Sequence, residues 1–259
     1  MRNIIAIGRR EILSFFVSPV AYFVITGFTL LAGYFFFNLL GVFNIIIQRY
    51  NATPAMYRGD TPGPNLNQWV IEGYYQTLIV ILVFLIPLLT MRIIAEEKKR
   101  GTFELLVTSP VSVTEIVLGK FAGVAFVILT MMLSVFMFPL LLCIYGNPEV
   151  KPIICGIFAL TLCSLSFASI GMAVSSFTEN QVVAGICSMV TLLLLYVIHS
   201  PADSMEGGMK EVLLSLSPVI QVKDMLSGVL SIQSVVYFCC LIFLGLFLSQ
   251  RALESYRWR

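Results

Sequence analysis

Residues Pro87–Phe121 read PLLTMRIIAEEKKRGTFELLVTSPVSVTEIVLGKF. An apolar helix leaves its apolar surroundings in this stretch, breaks twice, and hands over to another apolar helix. Arg92, Glu96 and Arg100 stand at i,i+4 spacing, so helix is expected to continue past the apolar part. Gly101 can stop it in left-handed geometry. Thr102 can cap a new short helix, with Glu104 in its first turn facing the positive end of the dipole. Phe103, Leu105, Leu106 and Val107 make that helix apolar, and Ser109-Pro110 ends it. Ser112-Val-Thr-Glu115 then forms a capping box that opens the next run. A plain connector needs no such apolar helix. Its face calls either for a docked protein or for burial in a membrane interface.

The flanking sequence shows what solvent this stretch lies beside. The chain has 259 residues, of which 58% are hydrophobic and only 12% charged, and its mean hydropathy is +0.94. A soluble domain is about 25% charged and cannot hide this much apolar surface. Lipid is therefore the main solvent, and a soluble globular protein, a disordered chain and a nucleic-acid binder are all excluded. Crossing the hydrocarbon takes about 20 apolar residues. Six segments are expected to do so: 20–47, 75–94, 119–145, 152–177, 182–199 and 235–249, the last two at the short end. The fold expected is an all-α polytopic membrane protein.

Charge placement orients these spans. Eleven of the 16 Lys and Arg residues fall on the side that holds both termini and the 95–118 connection. By the excess of positive charge, that side is cytoplasmic. Lys120 is counted among those eleven, and the apolar cores of the spans are taken to carry no Asp, Glu, Lys or Arg. Trp69, Tyr74 and Tyr75 suit anchors at the outer interface, and Tyr256 and Trp258 suit the inner one. Residues 1–19 read as a helix lying in the interface, with Ile4, Ile5, Ile12, Phe15 and Phe16 on one arc and Asn3, Arg10, Glu11 and Ser14 opposite. A charged leader that only sets topology is the other reading. Arg58-Gly59-Asp60, in the first outer loop, is a solvated turn.

Soluble-enzyme chemistry finds no foothold. There is no G-x-x-x-x-G-K-[ST] sequence to cradle a phosphate. The single histidine, His199, excludes multi-histidine metal sites, so no metal site is expected. A Ser–His dyad with Ser164 fails on depth, because Ser164 lies about 18 Å along its helix from the outer end. The serines of the fourth span, with Gly156 and Gly171, read as small packing residues. Cys143, Cys155, Cys163, Cys187, Cys239 and Cys240 read as small buried hydrophobes. Spans without ionisable cores argue against an ion-coupled transporter and leave room for a machine powered from outside the membrane.

The run EEKKRGTFELLVTSPVSVTEIVLGKF resembles the cytoplasmic loop of ABC-2-type ABC transporter permeases, the membrane subunits of these transporters. It looks closest to the gliding-motility-associated permease branch. The six-span layout extends the resemblance over the whole chain, 1–259, as a single transmembrane domain. The resemblance implies a coupling region at 95–118. Its coupling helix would be Thr102, Phe103, Glu104, Leu105, Leu106, Val107 and Thr108, ended by Ser109 and Pro110, and would dock on an ABC ATPase subunit. Glu96, Glu97, Arg100 and Gly101 would lie at the same interface. Thr178, Glu179 and Asn180 would form a second, smaller contact. Residues 1–19 would be the family's interfacial connecting helix, and 200–234 would hold two short re-entrant helices.

The resemblance further implies a subunit that is not catalytic alone and binds no cofactor. ATP and Mg would sit in the partner ATPase. The other membrane half would be a second copy, or a related subunit with a large outer domain. The expected setting is the bacterial inner membrane, and the expected function is coupling of ATP hydrolysis to translocation by an exporter-type transporter. The alternative is a non-transporting ABC machine that passes ATP-driven motion to an outer-envelope partner.

Overall fold

The computed structural model describes residues 2–53, 63–99, 101, 111–146, 148–200 and 208–257. All regular structure among the described residues is helical. In chain order it comprises α1 (Arg2–Val17), α2 (Pro19–Ala52), a π-helical turn (Asn67–Glu72), α3 (Gly73–Thr90), α4 (Ala95–Lys99), α5 (Val113–Tyr145), α6 (Val150–Phe177), α7 (Gln181–Val197), α8 (Gly208–Leu216), α9 (Pro218–Leu226) and α10 (Ile232–Arg257). Among the described residues, five helical runs are long and apolar enough to cross a membrane: Pro19–Ala52, Asn67–Lys99, Val113–Tyr145, Val150–Phe177 and Ile232–Tyr256. Where the fifth of six spans was expected, α7 has 17 residues, about 26 Å of rise against about 30 Å of hydrocarbon.

Local chemistry explains the ends. Ser18 breaks α1 from α2 and caps the latter, with Pro19 at its first position, where the missing N–H costs nothing. The expected capping box exists: Ser112 Oγ accepts from Glu115 N, and the Glu115 carboxylate accepts from Ser112 N. Gly101 has φ of 69°, the left-handed stop expected of it. Two short helices, α8 and α9, separated by Ser217, occupy the expected positions between α7 and α10.

The helix α6 is central and packs against α3, α5, α7, α9 and α10. The most apolar windows of α3 and α6 are 61% buried, whereas those of α2 and α10 are 22% buried and turn Phe23, Leu30, Phe37 and Phe243 outward. Small residues let α6 take this place. A Cβ on Gly156 would lie 2.3 Å from the Tyr75 ring. Ser164, Ser166 and Ser176 are buried and donate to carbonyls of their own helix, which fits their reading as packing residues.

Several expectations are corrected. Tyr74 and Tyr75, expected as anchors, are fully buried within the bundle. Each phenol finds a carbonyl, Tyr75 donating to Ile153 O at 3.0 Å and Tyr74 to Val135 O at 3.5 Å, so burial leaves neither hydroxyl without a partner. Trp69 remains half-exposed. All six cysteines are free thiols, but only Cys155 and Cys163 are buried. The other four point outward, where an apolar thiol meets lipid as readily as protein. The second span is not one rod: a turn at 91–94 separates α3 from α4. Pro87 within α3 has no N–H to give, and the polar groups of that turn bond to other helices, as described below. On α1 the packing face is Gly8 and Phe15 with Glu11 beside them, while Ile5 is 71% exposed.

Candidate functional site

At the end of the bundle where α1 lies, four segments meet. These are the 91–94 turn with α4, the start of α5, the 178–180 link between α6 and α7, and the end of α10. Glu96 and Glu97 occupy the first turn of α4, where carboxylates favour the helix dipole. Glu97 Oε1 lies 2.8 Å from Lys120 Nζ.

Lys120 was expected among the cytoplasmic-side charges, at the start of the 119–145 span. It is instead 2% exposed, about two turns inside α5. Its ammonium donates to the Ile93 carbonyl at 2.9 Å and also lies 3.5 Å from Glu11 Oε2. A buried ammonium is tolerated only with such partners. The signal was present in the sequence as a lysine flanked by Gly119 and Gly123 in an apolar helix, the pattern of a cation packed under a neighbouring helix. Burial pushes the Glu11 carboxyl above its ordinary value of 4.5, and the Lys120 ammonium opposes that rise. A raised folded-state value means stability present at low pH is lost as pH rises through it. Glu11→Gln is therefore expected to remove that decline above pH 4.5 and keep a hydrogen bond to Lys120. A pH series of thermal unfolding checks this.

The 91–94 turn is bracketed from the other side by Ser175 of α6. Its Oγ accepts from Ile94 N at 3.4 Å and Ala95 N at 3.2 Å, and donates to Met91 O at 3.1 Å. Arg92 turns toward α1: it donates to Ser18 Oγ at 3.1 Å, and its guanidinium stands 4.6 Å above the Phe15 ring. Lys98 donates to Ser176 O and lies 4.7 Å from the centre of the Tyr256 ring, so α4 touches both the last turn of α6 and α10. Within that link, Asn180 N donates to Thr178 Oγ1, and Asn180 Oδ1 caps α7 through Val182 N. Glu179 is exposed.

A cleft of about 310 Å³ opens beside these groups, lined by Arg10, Glu11, Ser14, Arg92, Glu96 and Glu97 among others. Glu96 and Glu97 of α4 and the 178–180 link thus lie at one end of the molecule. Of the residues expected at the first, Glu96, Glu97 and Gly101 are described. Arg100, Thr102, Phe103, Glu104, Leu105, Leu106, Thr108, Ser109 and Pro110 lie outside the described residues. Sequence reading did not foresee Lys120, Glu11 and Ser175 as the groups that hold this end together. At the opposite end His199 Nδ1 lies 2.8 Å from the Tyr196 carbonyl.

A family model described as ABC-2 family transporter protein matches residues 44–249, well over half of the chain. No curated protein matches it. Helix α1 precedes the matched residues, whereas α4, Lys120 and the 178–180 link fall within them. With its membrane-length apolar helices and this match, the chain belongs to the ABC-2 transporter family, as a multi-pass permease subunit of an ABC transporter, a family that implies an ABC ATPase as partner.

Proposed function

We propose that this chain couples ATP hydrolysis by a separate ATPase subunit to export across a bacterial inner membrane. Six spans with both termini inside, two short outer re-entrant helices, and a second copy or related subunit as the other membrane half complete this reading. ATP and Mg belong to the partner, and this chain is not catalytic alone. Within the family, the gliding-motility-associated branch is the nearer kin. The carrying observation is the position of Phe103, Leu105, Leu106 and Val107 in the sequence. They stand between the charged helix α4 and the capping box of α5, inside the family match. An apolar segment so placed, outside the long apolar helices, suits a docking surface.

The test is the double variant Phe103→Asp with Leu106→Asp. Each buried apolar anchor at an interface contributes about 2 kcal/mol or more, so binding should weaken by more than about 30-fold. Co-purification with the ATPase and the stimulated part of ATP hydrolysis should both be lost. Unaltered binding and turnover would sink the docking role.

A further inference from the structure

The residues that lead into and out of 100–110 are tied to one helix, α1. On the outgoing side, Asn3 Nδ2 donates to the two Glu115 carboxylate oxygens at 3.3 and 3.4 Å. Glu115 itself closes the capping box that starts α5. On the incoming side, Glu11 of α1 meets Lys120, which reaches Glu97 of α4 and the Ile93 carbonyl ahead of it. Asn3 and Glu11 are about 12 Å apart along α1, so the helix bridges the groups that precede and follow the segment.

The seat of α1 on α5 leaves no slack. A Cβ on Gly119 would lie 2.7 Å from Ile7 Cβ, and one on Gly123 would lie 2.7 Å from Glu11 Cβ. Backbones this close cannot slide past each other without a clash. The ammonium of Lys120 is satisfied by groups from three elements at once: α1, the turn after α3, and α4. Withdrawing any one of them leaves a buried charge short of a partner, which is costly. The three elements therefore hold their places together or not at all.

We infer that Lys120 is the positioning residue of a clasp by which α1 keeps both ends of residues 100–110 in register, so that a push on that segment moves α1, α4 and the start of α5 as one body. This rests on the docking reading above. The clasp brings a helix that precedes the family match onto residues inside it. It also gives α1 a task beyond lying in an interface: transmitting displacement from the docking segment to α2, which follows it after Ser18.

The experiment uses the full chain in lipid nanodiscs, with and without its ABC ATPase. Lys120→Met removes the charge and keeps the length. It should leave ATPase co-purification in place, lower stimulated ATP turnover about tenfold, and speed hydrogen exchange of the α1 amides in the chain alone. Lys120→Arg keeps the charge and should recover most of the protection and turnover. Where Lys120→Met yields no monodisperse protein, Asn3→Leu opens the exposed outgoing tie without touching the core. It should speed exchange in the first turns of α1 and lower turnover in the same direction. Wild-type exchange and turnover in Lys120→Met, or in Asn3→Leu where that variant stands in, would overturn the clasp. The Phe103→Asp, Leu106→Asp variant separates the two ideas. If it abolishes ATPase binding while Lys120→Met behaves as wild type, the clasp alone falls. If it binds normally, the docking reading falls, and faster α1 exchange in Lys120→Met still supports the mechanical tie.

Discussion

Gly171→Leu is expected to leave no folded bundle, and Gly171→Ala to cost about 1–3 kcal/mol. The site is where the central helix α6 crosses the end of α3. A Cβ on Gly171 would lie 2.3 Å from Thr90 Oγ1 and 3.0 Å from Thr90 Cβ. Thr90 cannot swing aside, because it is fully buried and its hydroxyl donates to Ile86 O at 3.1 Å. Its β-branch also restricts χ1. The helices would have to part, and with them the 91–94 turn and the contacts of α4. Removing the obstacle should recover part of the loss, so Gly171→Ala with Thr90→Ala should be more stable than Gly171→Ala alone. Gly27 is the control: a Cβ there meets nothing within 4 Å, and alanine is the better helix former. Gly27→Ala should be neutral or slightly stabilising. Thermal unfolding in detergent, followed by size exclusion, ranks the four variants. A Gly171→Ala midpoint equal to wild type would refute the close crossing.

The helices themselves were legible, because lipid demands long apolar runs and helix ends demand caps. The Ser112–Glu115 box and the left-handed Gly101 are local chemistry, settled within four residues of sequence. What faces what was not legible. Hydropathy cannot tell a lipid-facing side chain from one in the bundle interior, since both are apolar. Tyr74 and Tyr75 were therefore placed in an interface when carbonyls on α5 and α6 receive their hydroxyls. Lys120 was read as a cytoplasmic-side charge because it stands near the beginning of its span. Its partners, Glu11 and Glu97, are 109 and 23 positions away and meet it only after folding. The break at 91–94 hid for the same reason. The Arg92–Glu96 spacing suits a helix, and the bonds that favour a turn come from α5 and α6. The candidate docking segment is the opposite case: its apolar character is plain in the sequence, and its structure lies outside the described residues.

Ser175→Ala is the second substitution expected to be severe, and it acts on the same turn. Other buried serines of α6, Ser164, Ser166 and Ser176, donate to carbonyls of their own helix. Those carbonyls already take part in helix bonds, so their loss should cost under about 1 kcal/mol. Ser175 differs because it is the outside partner of Ile94 N, Ala95 N and Met91 O, and the residues donating to it are fully buried. Alanine leaves two N–H groups and a carbonyl without that partner, at about 1–3 kcal/mol for each group left unsatisfied. The loss should be on the order of 3–5 kcal/mol, toward the low end for three such groups. Hydrogen exchange at Ile94 and Ala95 should quicken before that of α6 does, because the turn can open locally. Since this turn aims Glu97 at Lys120, opening it should also weaken the clasp and the stimulated ATP turnover. Gly171 stands one helical turn before Ser175 on the same face of α6. The double variant Gly171→Ala, Ser175→Ala should therefore cost less than the sum of the two, as neighbours acting on one structure do. Strict additivity would mean that the crossing and the turn are held independently, and that the end of α3 is not the hinge point these bonds make it.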